Sequence, residues 1–317
     1  CLSDWSSDVC SSDLATRRRI QELAKEMGHT GNRLARGLAL KRTHTVGLVV
    51  PKAPNAWFRE LSWSIAECFH SHGYVCIAPM LDRPEAVRYL AESMVEAIVI
   101  WGGRMIDQAS AEERRFYETV FRSIPTVCIA SNLTEAGIPA VDVDRRAVMK
   151  EIVGRLAALG HRRIVFASDT AAKGTTEQKV KGFVEAMQAL GLEPRLVHCP
   201  GNHLAAYERT EAILAEEPTA VIAGRCEIAL GFAAGCLHRG VRIPEDLSIV
   251  GYDNTAYVEG FVPRITTVGP DAREMAETVA RLLLARLEQK GSPPAEASVV
   301  WVPYHWKERG SIGPPRA

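Results

Sequence analysis

Thr45-Val-Gly-Leu-Val-Val50 opens a series of short apolar runs that are separated by segments of helical period. Two later runs read Ala97-Ile-Val-Ile-Trp101 and Thr126-Val-Cys-Ile-Ala130, and neither alternates polar with apolar residues. Strands that are apolar on both faces are typical of a parallel sheet covered by helices on both sides. The stretch from Thr45 onward therefore predicts an α/β fold.

The same rhythm repeats in the second half of the chain. The segments Ile164–Ala167, Ala220–Ala223 and Ser248–Tyr252 read as strands, and a long helix is predicted from Asp271 to Gln289. Ten or so strands in two comparable groups predict two doubly wound parallel-sheet subdomains. Because such sheets bind ligands outside the carboxyl ends of their strands, we expect both sets of strand ends to surround one cleft.

The composition is that of an ordinary globular protein, with 47% hydrophobic, 24% charged and 7% aromatic residues. It excludes wholesale disorder, a collagen and a disulfide-stapled miniprotein. No run approaches the roughly 18 consecutive apolar residues of a membrane helix, and no signal-peptide pattern is present. The eight cysteines include no CxxC pair, which fits reduced thiols and predicts a cytoplasmic protein.

The first 44 residues differ from the rest. Residues 1–14 repeat Ser-Ser-Asp without a structural period and resemble a translated sequencing adapter. We interpret them as an artefact, and the alternative is a natural Ser/Asp-rich tail. Residues 15–44 hold eight Lys and Arg against two Glu, a balance of +6. This segment predicts contact with nucleic acid or another anionic surface, and the alternative is a solvated basic helix.

Two helices are predicted in this basic region. Thr16–Met27 has one apolar stripe and is followed by Gly28, a helix stop. Asn32–Ala39 spans only about two turns and contains Gly37, and a helix this short is marginal by itself in water. We therefore expect the second helix to become ordered only when it is docked on a partner.

Ordered motifs along residues 15–313 resemble the lactose-repressor (LacI/GalR) family of bacterial transcriptional regulators. The stretches that carry the resemblance are Asn32–Ala39 with Arg42–Pro51, Asn55–Phe58, Val141–Asp144, Leu159–Ile164, Lys181–Phe183, Ile243–Asp253, Ile265–Val268 and Lys307–Ser311. In addition, the loop Lys173-Gly-Thr-Thr-Glu-Gln178 is similar to that of gluconate-type repressors. Many colinear motifs are more specific than any one of them.

The resemblance implies a helix-turn-helix headpiece, a hinge helix and a core like that of type-1 periplasmic binding proteins. Residues 15–44 then correspond to a partial headpiece with its hinge, and residues 1–14 stand where the first two headpiece helices belong. The effector-binding core spans residues 45–317. Its expected subdomains are an N-terminal one of about 45–144 plus 270–300 and a C-terminal one of about 145–269 plus 301–317.

The resemblance also implies the DNA contacts. Leu38 takes the position that wedges between base pairs in the minor groove, and the small Ala35 lets two hinge helices approach each other. Basic side chains of the hinge are suited to phosphates. The predicted DNA-binding residues are Asn32, Arg33, Ala35, Arg36, Leu38, Lys41 and Arg42.

A second group of residues is implied for the effector cleft. It combines an aromatic pair, two carboxylates that follow strands, an asparagine and four cations. The predicted effector-binding residues are Asn55, Trp57, Phe58, Arg104, Asp144, Lys173, Lys179, Arg225 and Asp253. Because Arg and Lys recognise carboxylate and phosphate groups, we expect an anionic effector such as a sugar acid or a sugar phosphate. The alternative is that some of these cations point to solvent.

The expected mechanism is allosteric: an effector bound between the subdomains changes operator affinity in a homodimer. Induction and corepression are not distinguished. No nucleotide-binding glycine motif, HExxH or GxSxG is present, so we expect no catalysis, cofactor or metal, and read His70 and His72 as solvent histidines. The alternatives are a solute-binding protein without a DNA role, which the hinge resemblance disfavours, and an α/β sugar-metabolising enzyme.

Overall fold

The structure is a computed structural model of the chain. It describes residues 19, 22–23, 26–27, 42–50, 55–101, 109–130, 133–171, 174–288 and 297–316. The chain divides into two compact units, Cys1–His44 and Thr45–Ala317. In the first unit Arg19, Glu22, Leu23 and Glu26 are helical, and these positions lie within the predicted helix Thr16–Met27. The predicted hinge helix Asn32–Ala39 lies outside the described residues.

Six strands of the described chain form a first, wholly parallel sheet in the order β11-β5-β4-β3-β1-β2. The strands are β1 Thr45–Val49, β2 Val75–Ile77, β3 Ala97–Trp101, β4 Thr126–Ile129, β5 Ala140–Asp142 and β11 Val299–Trp301. The helices that belong to this sheet are α1 Ala56–Ser71, α2 Arg83–Glu92, α3 Ala111–Ser123 and α9 Ala272–Glu288. We call this part of the molecule the N-lobe.

Six further strands of the described chain form a second sheet in the order β12-β10-β9-β8-β6-β7. Its strands are β6 Ile164–Ser168, β7 Arg195–His198, β8 Ala220–Ala223, β9 Ser248–Tyr252, β10 Thr266–Pro270 and β12 Tyr304–Lys307. Its helices are α4 Arg145–Ala158, α5 Thr175–Ala189, α6 His203–Glu208, α7 Thr210–Leu214 and α8 Cys226–His238. Only β12 runs antiparallel to its neighbour within this sheet. We call this part the C-lobe.

The chain passes between the lobes after β5, after β10 and between β11 and β12. The prediction of two parallel-sheet α/β subdomains is confirmed. The end of the described chain contributes one strand to each sheet, β11 to the first and β12 to the second. Every residue of β12 is half-buried, so its sequence lacks the apolar run that identifies an inner strand.

Apolar side chains fill both faces of the sheets. β3, β4, β6, β8 and β9 are buried at every position. One core cluster extends through both lobes, a second lies within the C-lobe apart from Ala56, and a third lies within the N-lobe. This two-sided cover explains why the strands read as uninterrupted apolar runs.

Candidate ligand-binding site

A narrow cavity lies between the lobes, at the carboxyl ends of strands from both sheets. Its open volume is about 50 Å³, which is the room of about one or two water molecules. The lining residues are Asn55, Trp57, Phe58, Ile129, Ala130, Val143, Arg145, Thr175, Thr176, Lys179, Arg225, Tyr252, Asp253, Pro270 and Met275. The cavity is where doubly wound sheets place their ligands.

The N-lobe wall of the cavity is the start of α1. The side chain of Asn55 caps this helix, since its Oδ1 accepts a hydrogen bond from the Phe58 amide at 2.9 Å. Trp57 is buried, and the ring of Phe58 meets Trp101 edge-on with 5.6 Å between centroids. Asn55 therefore orients two aromatic rings toward the cavity while its own carbonyl oxygen is engaged in the cap.

Asp253 lies at the C-lobe side, directly after β9. Its φ of +79° is in the left-handed region, which Asp tolerates better than most residues. A Cβ on Gly269 would lie 2.9 Å from the Cα of Asp253, so the neighbouring strand must carry glycine here. Backbone strain of this kind is concentrated at binding sites.

The carboxylate of Asp253 is buried and receives no hydrogen bond from any described residue. Burial raises its pKa, and the nearby positive charges of Lys179, Arg225 and Arg145 act in the opposite direction. Since a buried carboxylate without hydrogen bonds is costly, this one is prepared to accept them from a ligand.

Lys179 is the buried cation of the site. Its Nζ donates a hydrogen bond to the carbonyl of Gly224 at 2.8 Å and lies 3.6 Å from the centroid of the Tyr252 ring. Burial lowers the pKa of Lys179 to about 7, although the charge of Asp253 favours the protonated form. The amine is therefore close to the balance between its charged and neutral forms at neutral pH.

Tyr252 carries a second polar group without a partner. Its ring is fully buried under Lys179, and its hydroxyl has no hydrogen bond within the described part of the chain. Burial raises the pKa of this phenol, so it stays neutral and can donate to a ligand. Sequence analysis missed Tyr252, although it is the last residue of β9 and directly precedes Asp253.

Arg225 and Arg145 differ in how their charges are balanced. Arg145 donates to Asp142 at 2.5 Å. Arg225 forms no ion pair with a described residue, and its guanidinium lies against Gly201, where a Cβ would approach Nη1 to 2.8 Å. Of the two, Arg225 is therefore the one whose charge is available to an anion. Arg145 was missed by sequence analysis, although it directly follows Asp144.

The remaining predicted positions lie elsewhere. The carboxylate of Asp144 caps α4 by accepting from the Ala147 amide at 3.0 Å, and Asp144 is exposed and does not line the cavity. Its side chain is used by the local helix start, and its role in effector binding stays a prediction. Arg42 is exposed. The predicted positions that lie outside the described residues are Arg104, Lys173, Asn32, Arg33, Ala35, Arg36, Leu38 and Lys41.

The part of the chain that the structure describes holds no group of three or more His, Cys, Asp or Glu side chains placed to bind a metal ion. Within the same part, no helix has the length and apolar character needed to cross a membrane. His72 uses its Nδ1 in a 2.8 Å contact with the carbonyl of Cys68.

Comparison with known proteins places this architecture among ligand-responsive regulators. Residues 153–312 match the model of a family described as periplasmic binding protein-like domain. Catabolite control protein A of Priestia megaterium is 28% identical over 308 residues, which are 94% of this chain and 90% of that protein. The same protein of Staphylococcus aureus strain N315 is 24% identical over 307 residues, 93% of this chain and 90% of that protein.

Two solved structures are similar throughout the core. A LacI family transcriptional regulator from Enterococcus faecalis V583 with bound ribose has a TM-score of 0.72 and 26% identity, covering 86% of this chain and 100% of that one. The lac repressor dimer bound to operator and the anti-inducer ONPF has a TM-score of 0.79 and 20% identity, covering 94% of this chain and 90% of that one. The second likeness concerns the fold alone.

Proposed function

Because this chain belongs to the periplasmic binding protein-like domain family and is a LacI-family transcriptional regulator, we propose that the cavity between its lobes binds a small effector that controls its affinity for operator DNA. The carrying observation is that three polar groups without a hydrogen-bond partner among the described residues converge at one place: the buried Asp253 carboxylate and Tyr252 hydroxyl, and the half-buried Arg225 guanidinium. Unsatisfied buried groups cost stability, and a ligand removes that cost.

The charges of the cavity favour an anionic, hydroxyl-bearing effector such as a sugar acid or a sugar phosphate. Arg145 is neutralised by Asp142, and Lys179 and Asp253 carry opposite charges next to each other. Arg225 forms no ion pair with a described residue, so it is the cation that a carboxylate or phosphate would pair with. Hydroxyl groups of the ligand would donate to Asp253, and the Trp57 and Phe58 rings offer an apolar wall to a sugar ring.

The small open volume bears on the mechanism. A cavity of about 50 Å³ is far below the roughly 300 Å³ of typical ligand sites, so an effector requires the lobes to separate or Lys179 to move. The three chain crossings between the lobes form the connection about which they would rotate. An effector that binds one lobe arrangement more tightly shifts the equilibrium by that difference, typically about 1–3 kcal/mol.

The DNA end of the proposal rests on the basic segment. Residues 15–44 carry an excess of positive charge, and we assign the minor-groove wedge to Leu38 with phosphate contacts from Arg33, Arg36, Lys41 and Arg42. Each phosphate contact would contribute about 0.9 to the slope of the logarithm of affinity against the logarithm of salt concentration. Asn32 and Ala35 would cap and space the paired hinge helices.

We propose that a second copy of the chain binds to the face that carries Trp63, Leu204 and Tyr257. Two adjoining surface clefts share Tyr257 and carry the exposed apolar side chains of Trp63 on α1, at 70% exposure, and Leu204 on α6, at 63%. Exposed apolar side chains on both lobes, within a partly charged surface, suit a self-complementary dimer. Trp63→Glu and Leu204→Glu should shift the mass measured by light scattering toward the monomer. The exposed Leu190→Glu, outside both clefts, is the control.

The decisive experiment measures effector binding by titration calorimetry with gluconate, glucuronate, glucose 6-phosphate, glucose and ribose. We expect one of the anionic compounds to bind and Arg225→Gln to weaken that binding by about 100-fold. Binding of the neutral sugars alone would overturn the anionic effector. Gel shifts with the DNA upstream of the gene then test regulation: unchanged DNA affinity with and without a bound effector would instead support a solute-binding protein.

A further inference from the structure

The first residue of α1 is held by the opposite lobe. The amide of Ala56 donates to Oε1 of Glu227 on α8 at 2.7 Å, and both residues are buried. Ala56 also belongs to a core cluster that otherwise consists of C-lobe residues. The start of an N-lobe helix is therefore packed into the C-lobe and bonded to a buried carboxylate there.

A second carboxylate makes the reverse connection one helical turn further along. Oε1 of Glu60, on α1, accepts a hydrogen bond at 3.0 Å from the amide of Ala256 in the C-lobe. Residues 56 and 60 are four apart, so they share one face of α1. Burial raises the pKa of Glu60, and the Ala256 amide acts in the opposite direction. Each lobe thus supplies one carboxylate to a backbone amide of the other.

The helix start makes the Glu227 contact favourable. The first amides of a helix have no partner within the helix, and its N-terminus attracts negative charge. The side chain of Asn55 satisfies the Phe58 amide, whereas the Ala56 amide is satisfied by Glu227 across the cleft. Opening the lobes would break a charge-assisted bond and leave a buried carboxylate without its partner.

Both contacts are placed next to the cavity. Glu227 lies two residues after Arg225, and Ala56 lies between Asn55 and Trp57. Ala256 follows Asp253 by three residues. The negative charge of Glu227 also contributes to raising the pKa of Asp253. A ligand that moves Arg225 or Asp253 would therefore act on the same segments that carry the interlobe bonds.

We propose that Glu227 and Glu60 form a reciprocal interlobe clasp that holds the lobes closed, with Glu227 as the residue that positions the aromatic wall of the cavity. Opening of the clasp would be cooperative, since both bonds attach the same helix to the same lobe. The effect of the clasp on operator affinity rests on the proposed function. The clasp itself is a property of the chain without effector.

The test uses the full chain without effector and measures the Ala56–Glu227 and Ala256–Glu60 hydrogen bonds separately. Hydrogen exchange of the Ala56 and Ala256 amides is measured by NMR, and the radius of gyration by small-angle X-ray scattering, for wild type, Glu227→Ala, Glu60→Ala and Glu211→Ala. Glu211 is the matched control, because it is an exposed C-lobe carboxylate that pairs at the surface with Arg239. If Glu227→Ala does not fold, Glu60→Ala carries the test, because its effect is read at the Ala56 amide, which it does not touch.

We expect exchange at Ala56 to accelerate by about tenfold or more in Glu227→Ala, with a larger radius of gyration and no change in Glu211→Ala. Glu60→Ala should also accelerate exchange at Ala56, although Glu60 does not touch that amide, because the two bonds open together. Unchanged exchange and dimensions in both variants would overturn the clasp. Since no effector is present, that result would leave the effector proposal standing.

Discussion

The two sides of the cavity differ in chemistry. The N-lobe side is the start of α1, where Trp57 and Phe58 present rings and the polar group of Asn55 is used by the helix cap. The C-lobe side presents charged side chains, of which those of the buried Asp253 and the half-buried Arg225 lack hydrogen-bond partners among the described residues. The difference teaches that one lobe supplies shape and the other supplies charge. We therefore expect a ligand to bind tightly only when both are present.

The largest expected effect tests the charged side. Arg225→Gln should lower the affinity for an anionic effector by about 100-fold, because truncating a charged partner in a desolvated site costs several kcal/mol. The affinity for a neutral analogue should change little. Calorimetry on both ligands checks this, with Arg242→Gln as a control, since Arg242 pairs with Asp246 at the surface. Equal losses for both ligands would contradict the role of charge.

The pH dependence of effector affinity provides a second test of the charged side. Burial lowers the pKa of Lys179 to about 7, and an anion bound beside it would favour the ammonium. Affinity should therefore fall above about pH 7, by at most about tenfold per pH unit, with proton uptake on binding. Titration in buffers of different ionisation enthalpy measures this uptake. Lys179→Met should flatten the dependence of affinity on pH. A dependence equal to that of wild type would contradict its assignment to Lys179.

The pH dependence of the stability of the free protein should also reflect Lys179, but in the opposite direction to that of ligand affinity. The unfolded lysine keeps a pKa near 10.5, so between about pH 7 and about pH 10 the unfolded chain binds more protons than the folded one. The contribution of Lys179 to stability therefore increases with pH across that range. Urea denaturation measures the unfolding free energies of wild type and Lys179→Met. The wild type should gain stability relative to Lys179→Met as the pH rises.

The aromatic side should have a smaller and less selective effect. Phe58→Leu removes the edge contact with Trp101, and such ring contacts contribute about 0.5–1.5 kcal/mol. We expect affinity to fall by about two- to tenfold, equally for anionic and neutral ligands. Phe121→Leu, which removes a ring contact with Tyr117 in the N-lobe, is the control for general destabilisation. A loss of affinity confined to anionic ligands would contradict the assignment of charge recognition to the C-lobe side alone.

The smallest effect concerns Asp144, outside the cavity. Asp144→Ala removes a helix cap and should cost about 1 kcal/mol of stability. Effector affinity should stay the same, because its carboxylate does not line the cavity. Thermal denaturation and calorimetry separate the two quantities. A marked loss of affinity would restore Asp144 to the binding site.

Much of the site was predictable because strand ends are recognisable locally. Asn55, Trp57 and Phe58 follow β1, and Asp253 follows β9, so their arrival at one cavity follows from parallel sheets whose carboxyl ends face each other. Asp144 also follows a strand, yet its side chain turns to the helix that begins there. The pattern of the sequence is the same in both cases, and only the local geometry separates a cap from a ligand group.

The amino-acid sequence by itself determined the alternation of strands and helices, the division into two sheets and the family, because apolar periodicity and short motifs report local burial and turns. Only the tertiary structure decided which charges are paired: Asp142 neutralises Arg145, whereas the side chains of Arg225 and Asp253 have no hydrogen-bond partner among the described residues. It also decided that Glu227 binds the amide of Ala56, 171 residues away. Contacts of this kind depend on how two lobes meet, and no local pattern encodes that meeting.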